Sequence, residues 1–188
     1  MDLHGWERRY RSGERAAEDF EFAPAPLVME TAEKLQAGRA LDLACGTGRN
    51  ALWLAQRGWS VTAVDGAPAA IEVLRRRASE RGVGVDARVA DLEKHEYQIE
   101  DSAWDLILMS YYLQRDLFEP AKRGVVPGGV VIAIVHVTEA GEKPTATRLG
   151  RGALRSYFRG WEILHSHEGK SHDPAHRRAV AEIVARRP

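Results

Sequence analysis

Between residues 39 and 137 the chain alternates strand-sized apolar runs with helix-sized amphipathic segments, and this rhythm limits the folds open to it. The runs RALDLA, SVTAVD, VDARVAD, WDLILMS and VVIAIVHV each have strand length. RNALWLAQR lies between the first two, with Ala51, Leu52, Leu54 and Ala55 turned inward and Gly58 closing it. A second helix opens at Pro68, carries Ile71, Leu74 and Ala78 as its apolar stripe with Arg75–Arg77 on the other side, and ends at Gly82. A short helix is expected around Asp116–Arg123 and a tight turn at Val126–Gly129. Alternation of this kind predicts an α/β, doubly wound sheet with helices on both faces. WDLILMS is apolar on both faces, as parallel strands between helices are.

The C-terminal part breaks the rhythm. Residues 138–150 contain Gly, Thr and Pro and read as an active-site loop, followed by a helix in GALRSYFRG. WEILHSHEG and AVAEIVARR read as two strands joined by the polar stretch Lys170–Arg178. A parallel crossover needs a dozen or more residues, so this last pair is expected to be antiparallel and the sheet mixed at that edge. At the other end, Trp6 and Tyr10 stand four apart and would share a helix face. FAPAPL, Phe22–Leu27, breaks that helix, and a second runs from Val28 to Gln36 and stops at Gly38. The expectation is one domain over residues 1–188, with a helical lid (1–37) on a Rossmann-like core (38–188).

A chain of 188 residues, 44% hydrophobic, can bury a core without disulfides or metals. Its one cysteine, Cys45, excludes a disulfide framework and a cysteine-based zinc site. The 27 basic and 27 acidic residues cancel, whereas a non-specific nucleic-acid binder is usually basic. The N-terminus has no apolar signal core, and no apolar run approaches the ~18 residues of a membrane helix. The reading is a cytoplasmic protein, monomer or homodimer, with no nucleic-acid or membrane partner.

Gly46–Gly48 falls where the first strand gives way to a helix, a place where glycine lets backbone approach a ligand closely. Asp65 ends the second strand and Asp91 the third. A carboxylate after strand two can accept both ribose hydroxyls, and one after strand three can accept from the adenine amine. Either could instead be a solvated strand end or a helix cap. Together with the loop they describe an adenosine site. Asp42, just inside the loop, would repel a pyrophosphate but suits a sulfonium and an ammonium, which favours S-adenosylmethionine over NAD. GTGRNA nevertheless satisfies a Gly-x-Gly-x-x-Gly/Ala pattern, so an NAD-binding oxidoreductase stays open, as does a non-catalytic cofactor-binding module. Cys45 precedes the loop with no predicted base beside it and reads as a small packing residue.

ALDLACGTGRNALWLA, followed by VTAVD, ARVADLE, WDLILMS and VPGG, resembles the class I S-adenosylmethionine-dependent methyltransferases over residues 39–135. The resemblance implies a mostly parallel seven-stranded sheet of order 3-2-1-4-5-7-6 with strand seven antiparallel. It places Asp42, Ala44, Gly46 and Gly48 along the methionine and ribose of the cofactor, with Asn50 beside them. Asp65 matches the ribose acid, Gly66 and Ala67 border adenine, and Ala90, Asp91 and Leu92 match the adenine edge. Met109 and Ser110 sit where strand four opens into the site, and Tyr10 with Trp6 would form the lid. GRNALWLAQRGWSVTAVD, with LRSYFRGWEILHSHEG and EIVARRP in the tail, is also similar to the small tellurite-resistance-type methyltransferases, which act on small anions or thiol- and selenium-like nucleophiles.

Methylation at cytosine carbon 5 needs a cysteine near strand four, and amino methylation usually shows Asn/Asp-Pro-Pro-Tyr/Phe where this chain has SYYLQ, Ser110–Gln114. The expected acceptor is therefore a small molecule, and the resemblance implies an anionic oxygen, sulfur, selenium or tellurium nucleophile, methylated by direct in-line transfer. Acceptor-side candidates are Tyr111, Tyr112, Arg148, His172, His176 and Arg177, the arginines suiting an anion. His165, His167, His172 and His176 could meet around a metal. With no cysteine to assist and a polar connection between them, the reading is that no metal is bound.

Overall fold

The computed structural model describes residues 3–12, 23–139 and 141–188. Residues 1, 2 and 13–22 of the expected lid, including Phe22 of the helix-breaking segment, and Ala140 of the expected loop lie outside the described residues. The chain divides into two compact units, Met1–Gln98 and Ile99–Pro188.

The first unit runs α1 (Leu3–Arg11), α2 (Pro26–Ala32), β1 (Arg39–Leu43), α3 (Arg49–Gln56), β2 (Ser60–Asp65), α4 (Pro68–Glu80) and β3 (Val85–Val89). The strands β1, β2 and β3 are parallel neighbours, with Asp42 level with Ala63 and Asp65 level with Val89. Leu41, Leu43, Ala63 and Val64 are fully buried, as are Leu52, Leu54, Ile71 and Leu74 on α3 and α4. Both helices stop at the predicted glycines. Gly58 and Gly82 take left-handed backbone, and the N–H groups of Trp59 and Val83 return to the carbonyls of Leu54 and Ala78, satisfying groups the helix end would orphan.

Two expectations for this unit are corrected. α2 starts at Pro26, not Val28, because a proline in the first turn is preset for helix, and it gives way after Ala32 to turns in which Lys34 and Leu35 bond three residues back. Arg77 does not share the solvent side of α4 with Arg75 and Arg76. It is buried, because its guanidinium reaches Thr47 in the glycine loop.

The second unit runs β4 (Trp104–Ser110), a 3-10 turn (Arg115–Leu117), α5 (Phe118–Gly124), β5 (Val125–His136), α6 (Ala153–Ser156), β6 (Glu162–Lys170) and β7 (Ala179–Arg186). β4 and β5 are parallel, and β7 is antiparallel to both β5 and β6. Phe118, Phe158, Leu106, Ile107 and Leu108 fill the core, with Tyr157 stacked on Phe118 at 4.2 Å. The expected turn at Val126–Gly129 is instead an irregular stretch within β5. Trp104 is level with Val125 but Leu106 with Val130, so the extra residues bulge, and Gly128 and Gly129 pair with Arg187 at 2.9 Å each. The helix expected in GALRSYFRG is a single turn.

All seven strands form one sheet of order β3-β2-β1-β4-β5-β7-β6, the order the family resemblance implies. Its edges are blunted by charge. β3 carries the Asp86–Arg88 ion pair at 2.6 Å, and β6 is charged or polar at Glu162, His165–Glu168 and Lys170. No helix among the described residues is long and apolar enough to cross a membrane.

Candidate functional site

Within the first unit, the C-terminal ends of β1, β2 and β3 and the segments that follow them carry the expected cofactor residues from Asp42 to Leu92, apart from Asn50, which lies on α3. The β1–α3 loop turns sharply. Ala44 (φ +55°), Gly46 (φ +55°) and Gly48 (φ +83°) all take left-handed backbone within five positions. At Ala44 this costs about 1–2 kcal/mol, which the surrounding structure must supply. At Gly48 no side chain fits, since a Cβ would stand 2.2 Å from Leu74 Cδ1.

Asp65 clamps this loop. Its Oδ2 accepts the Gly46 N–H at 2.8 Å and its Oδ1 the Ala67 N–H at 2.9 Å. A carboxylate has two acceptor oxygens, the chemistry that a pair of ribose hydroxyls requires. From the other side Arg77 donates to Thr47 Oγ1 at 2.7 Å, so a buried charge from α4 fixes the tip of the loop. The sequence expectation missed Arg77, although a position three residues after Leu74 on a helix was the available signal.

Asp42 is 1% exposed and its Oδ2 makes no hydrogen bond. Burial, reinforced by Asp65 and opposed by Arg49 and the Ala51 N–H, pushes its pKa up to about 7. Burial and the same two carboxylates push the Cys45 thiol up as well, which makes it inert, in line with its reading as a packing residue. Asn50 is buried and its Oδ1 accepts the Ala25 N–H at 2.9 Å, so its side chain anchors the segment before α2.

The expected adenine border is lined by α1. A Cβ on Gly66 would lie 2.9 Å from Leu3 Cδ1 and 3.5 Å from Asp91 Cα. Tyr10 packs with Ala67, Ala69 and Ala70, and Trp6 stacks on Tyr10 at 6.0 Å, as their spacing predicts. The Ala90 N–H bonds the Asp65 carbonyl, and Leu92 is buried. Asp91 accepts the Glu93 N–H at 3.0 Å and pairs with Lys94 at 2.9 Å, which holds its carboxyl below the usual range.

In the second unit, β4 ends with buried Met109 and with Ser110, whose Oγ makes no hydrogen bond. Tyr111 follows in left-handed backbone (φ +60°) with its N–H on the Ile134 carbonyl at 2.6 Å. Its ring stacks on His176 at 3.3 Å, and its hydroxyl donates to Asp173 Oδ2 at 3.0 Å, with Ser171 Oγ at 3.4 Å. His136, the first polar residue after the Val130–Val135 run, has its ring 5.8 Å from Tyr111 and 5.5 Å from His176. Burial lowers its pKa, the Ala179 carbonyl opposes this, and Arg178 and Arg148 reinforce it.

Of the six acceptor-side candidates, Tyr111 and His176 are brought together, and Arg148 lies near enough to act on His136 while paired to Glu142 at 2.7 Å. Tyr112 bonds Gln114 at 2.7 Å, His172 faces Glu182 and His167, and Arg177 is exposed. His136, Ser171 and Asp173 were missed. His136 could have been found as a strand-end residue equivalent to Asp65, whereas the reach of Asp173 to Tyr111 depends on a fold that brings residues 62 apart together. Among the described residues no group of three or more His, Cys, Asp or Glu side chains could hold a metal ion.

The loop, the clamp and the buried acid fit S-adenosylmethionine. Asp42, neutral or anionic near pH 7, would be stabilised as the anion by a neighbouring ammonium or sulfonium and would repel a phosphate. The strand order is the one the resemblance to the class I S-adenosylmethionine-dependent methyltransferases implies, and the fold is similar to theirs. Residues 40–129 match the family model for a methyltransferase domain. A ubiquinone biosynthesis O-methyltransferase from Methylocella silvestris is 42% identical over 72 residues, 38% of this chain and 25% of that protein. TehB from Haemophilus influenzae superimposes with a TM-score of 0.76 at 22% identity, covering 88% of this chain and 63% of that one. A 1,6-didemethyltoxoflavin-N1-methyltransferase from Burkholderia thailandensis, solved with its acceptor and S-adenosylhomocysteine, gives a TM-score of 0.72 at 16% identity over 98% of this chain and 86% of that one. The chain spans between 25% and 48% of the length of the curated relatives it matches.

Proposed function

We propose that the chain transfers a methyl group from S-adenosylmethionine to a small-molecule acceptor, working as one methyltransferase domain in the cytoplasm, as monomer or homodimer. The observation that carries this reading is a buried, unpartnered Asp42 carboxyl oxygen beside a glycine loop that Asp65 clamps. Asp42 would hold the charged methionine end of the cofactor, Asp65 the ribose, and the backbone at Gly66, Ala67 and Ala90–Leu92 the adenine. α1, with Trp6 and Tyr10, serves as the lid. When bound, the cofactor supplies an electrophilic methyl carbon on a positively charged sulfur. The residues at the ends of β4 and β5 and on the β6–β7 connection, Ser110, Tyr111, His136 and His176, receive the acceptor. Orientation then does most of the work, because in-line displacement needs a nucleophile held in near-attack geometry. The acceptor atom is an oxygen, sulfur, selenium or tellurium that is anionic as it reacts. Similarity to a ubiquinone biosynthesis O-methyltransferase and to a 1,6-didemethyltoxoflavin-N1-methyltransferase supports a small acceptor, and balanced charge supports it over nucleic acid.

Asp65→Ala tests the cofactor half of the proposal. It should weaken S-adenosylhomocysteine binding by about 1.5–3 kcal/mol, the scale of lost charge-assisted hydrogen bonds, read by calorimetry. An unchanged dissociation constant would remove Asp65 from the ribose.

A further inference from the structure

His136 is the one polar side chain at the end of the buried run Val130–Val135 in β5, and it does not have the contacts of a structural histidine. A buried imidazole normally satisfies both nitrogens, since an orphaned one costs about 1–3 kcal/mol. Here the Ala179 carbonyl faces the ring, while Nδ1 is buried and makes no hydrogen bond. The groups around it are the rings of Tyr111 and His176 and the cations Arg148 and Arg178. Asp173 and Ser171 meet the Tyr111 hydroxyl, and the charged groups that act on the imidazole are the two arginines. Burial and the two arginines outweigh the Ala179 carbonyl and favour neutral His136, whose Nδ1 is buried with no hydrogen-bond partner.

We infer that His136 is the proton acceptor for the methyl acceptor, and that this acceptor is a weakly acidic hydroxyl of the phenol or enol type. The inference rests on the methyltransferase reading and deepens it. A thiol ionises near pH ~8.5 and a selenol lower still, so neither needs a built-in base, whereas a phenol, at ~10, does. The acceptor enters by displacing the His176 ring from beside His136. The hydroxyl proton passes to Nδ1 as an oxygen pair forms the new O–C bond, the C–S bond pair stays on sulfur, and the imidazolium then gives its proton to solvent.

The test uses the whole chain and a series of para-substituted phenols, from phenol itself to nitrophenols already ionised at the assay pH. S-adenosylhomocysteine affinity is measured in parallel. His136→Gln should bind S-adenosylhomocysteine as the wild type does, lose about 100-fold or more in kcat/KM on phenol, and lose only a few-fold on nitrophenols. Equal losses across the series would reduce His136 to a packing role and overturn the inference. A wild type that binds S-adenosylhomocysteine but methylates thiols and no phenol would overturn it too. A wild type that binds no S-adenosylhomocysteine would instead sink the underlying reading, and this inference with it. Should His136→Gln not fold, the wild-type pH profile decides. On phenol, kcat/KM should fall away below the ordinary histidine value of 6.5. A profile that climbs to ~10, following ionisation of free phenol, would contradict a resident base.

Discussion

At the scale of single residues, two positions carry most of the physical argument. Asp42 is costly to keep, because burial favours its neutral form and raises its pKa from 3.8 to about 7. The folded chain therefore holds a proton that the unfolded chain releases. Stability from this group is fullest below 3.8 and declines as pH rises toward 7, by about 4 kcal/mol at most. A cation seated beside Asp42 reverses the preference, so binding S-adenosylmethionine near neutral pH should release up to one proton. Calorimetry in buffers of different ionisation enthalpy would show the release, and Asp42→Asn should abolish it. Proton uptake on binding would contradict the assignment. Gly48 is constrained twice, by its positive φ and by Leu74 Cδ1. Gly48→Ala should cost about 2–4 kcal/mol. Combined with Leu74→Ala, the loss should fall short of the sum by about 1–2 kcal/mol in urea melts, and strict additivity would show that Leu74 does not enforce the glycine. Asp42, Gly48 and Asp65 were legible because they sit at strand ends the apolar runs define. Arg77 and Asp173 were not, because polar residues in charged stretches reveal a buried partner only once the chain has folded.

At the scale of elements, α1 and α4 depend on each other. α4 begins at Pro68 behind Ala67, which offers no side chain to cap the helix. Glu7 of α1 fills that role from 62 residues away, its Oε2 accepting the Ala69 N–H at 3.0 Å. A carboxylate at a helix N-terminus also complements its dipole. Glu7→Ala should lower stability by about 1 kcal/mol and speed amide exchange at Ala69, read by urea melts and hydrogen exchange. The exposed Glu7–Arg11 pair adds little to that figure. An unchanged midpoint with unchanged exchange would mean that α1 rests on α4 without holding it. The strands and the two long helices were legible because apolar period and glycine stops agree, as at Gly58 and Gly82. VPGG was misread because Pro-Gly-Gly signals a turn, whereas pairing of Gly128 and Gly129 with Arg187 keeps the stretch in a strand.

At the scale of the whole molecule, the strand order β3-β2-β1-β4-β5-β7-β6 joins local rules to a fold. The short polar stretch Lys170–Arg178 required an antiparallel ending, and β6 and β7 comply. The positions of β5, β7 and β6 in that order came from the resemblance, since periodicity cannot rank strands within a sheet. The proposed acceptor site was the least legible part, because it draws on residues from β4, β5 and the β6–β7 connection that no spacing rule links. The central claim is that the glycine loop with Asp42 and Asp65 binds a sulfonium nucleoside and not a dinucleotide. Calorimetric titration of the intact chain with S-adenosylhomocysteine and, separately, with NAD tests it most directly. Saturable S-adenosylhomocysteine heat at one site per chain, with none from NAD, is the predicted result. Saturable NAD binding with no S-adenosylhomocysteine heat would contradict it.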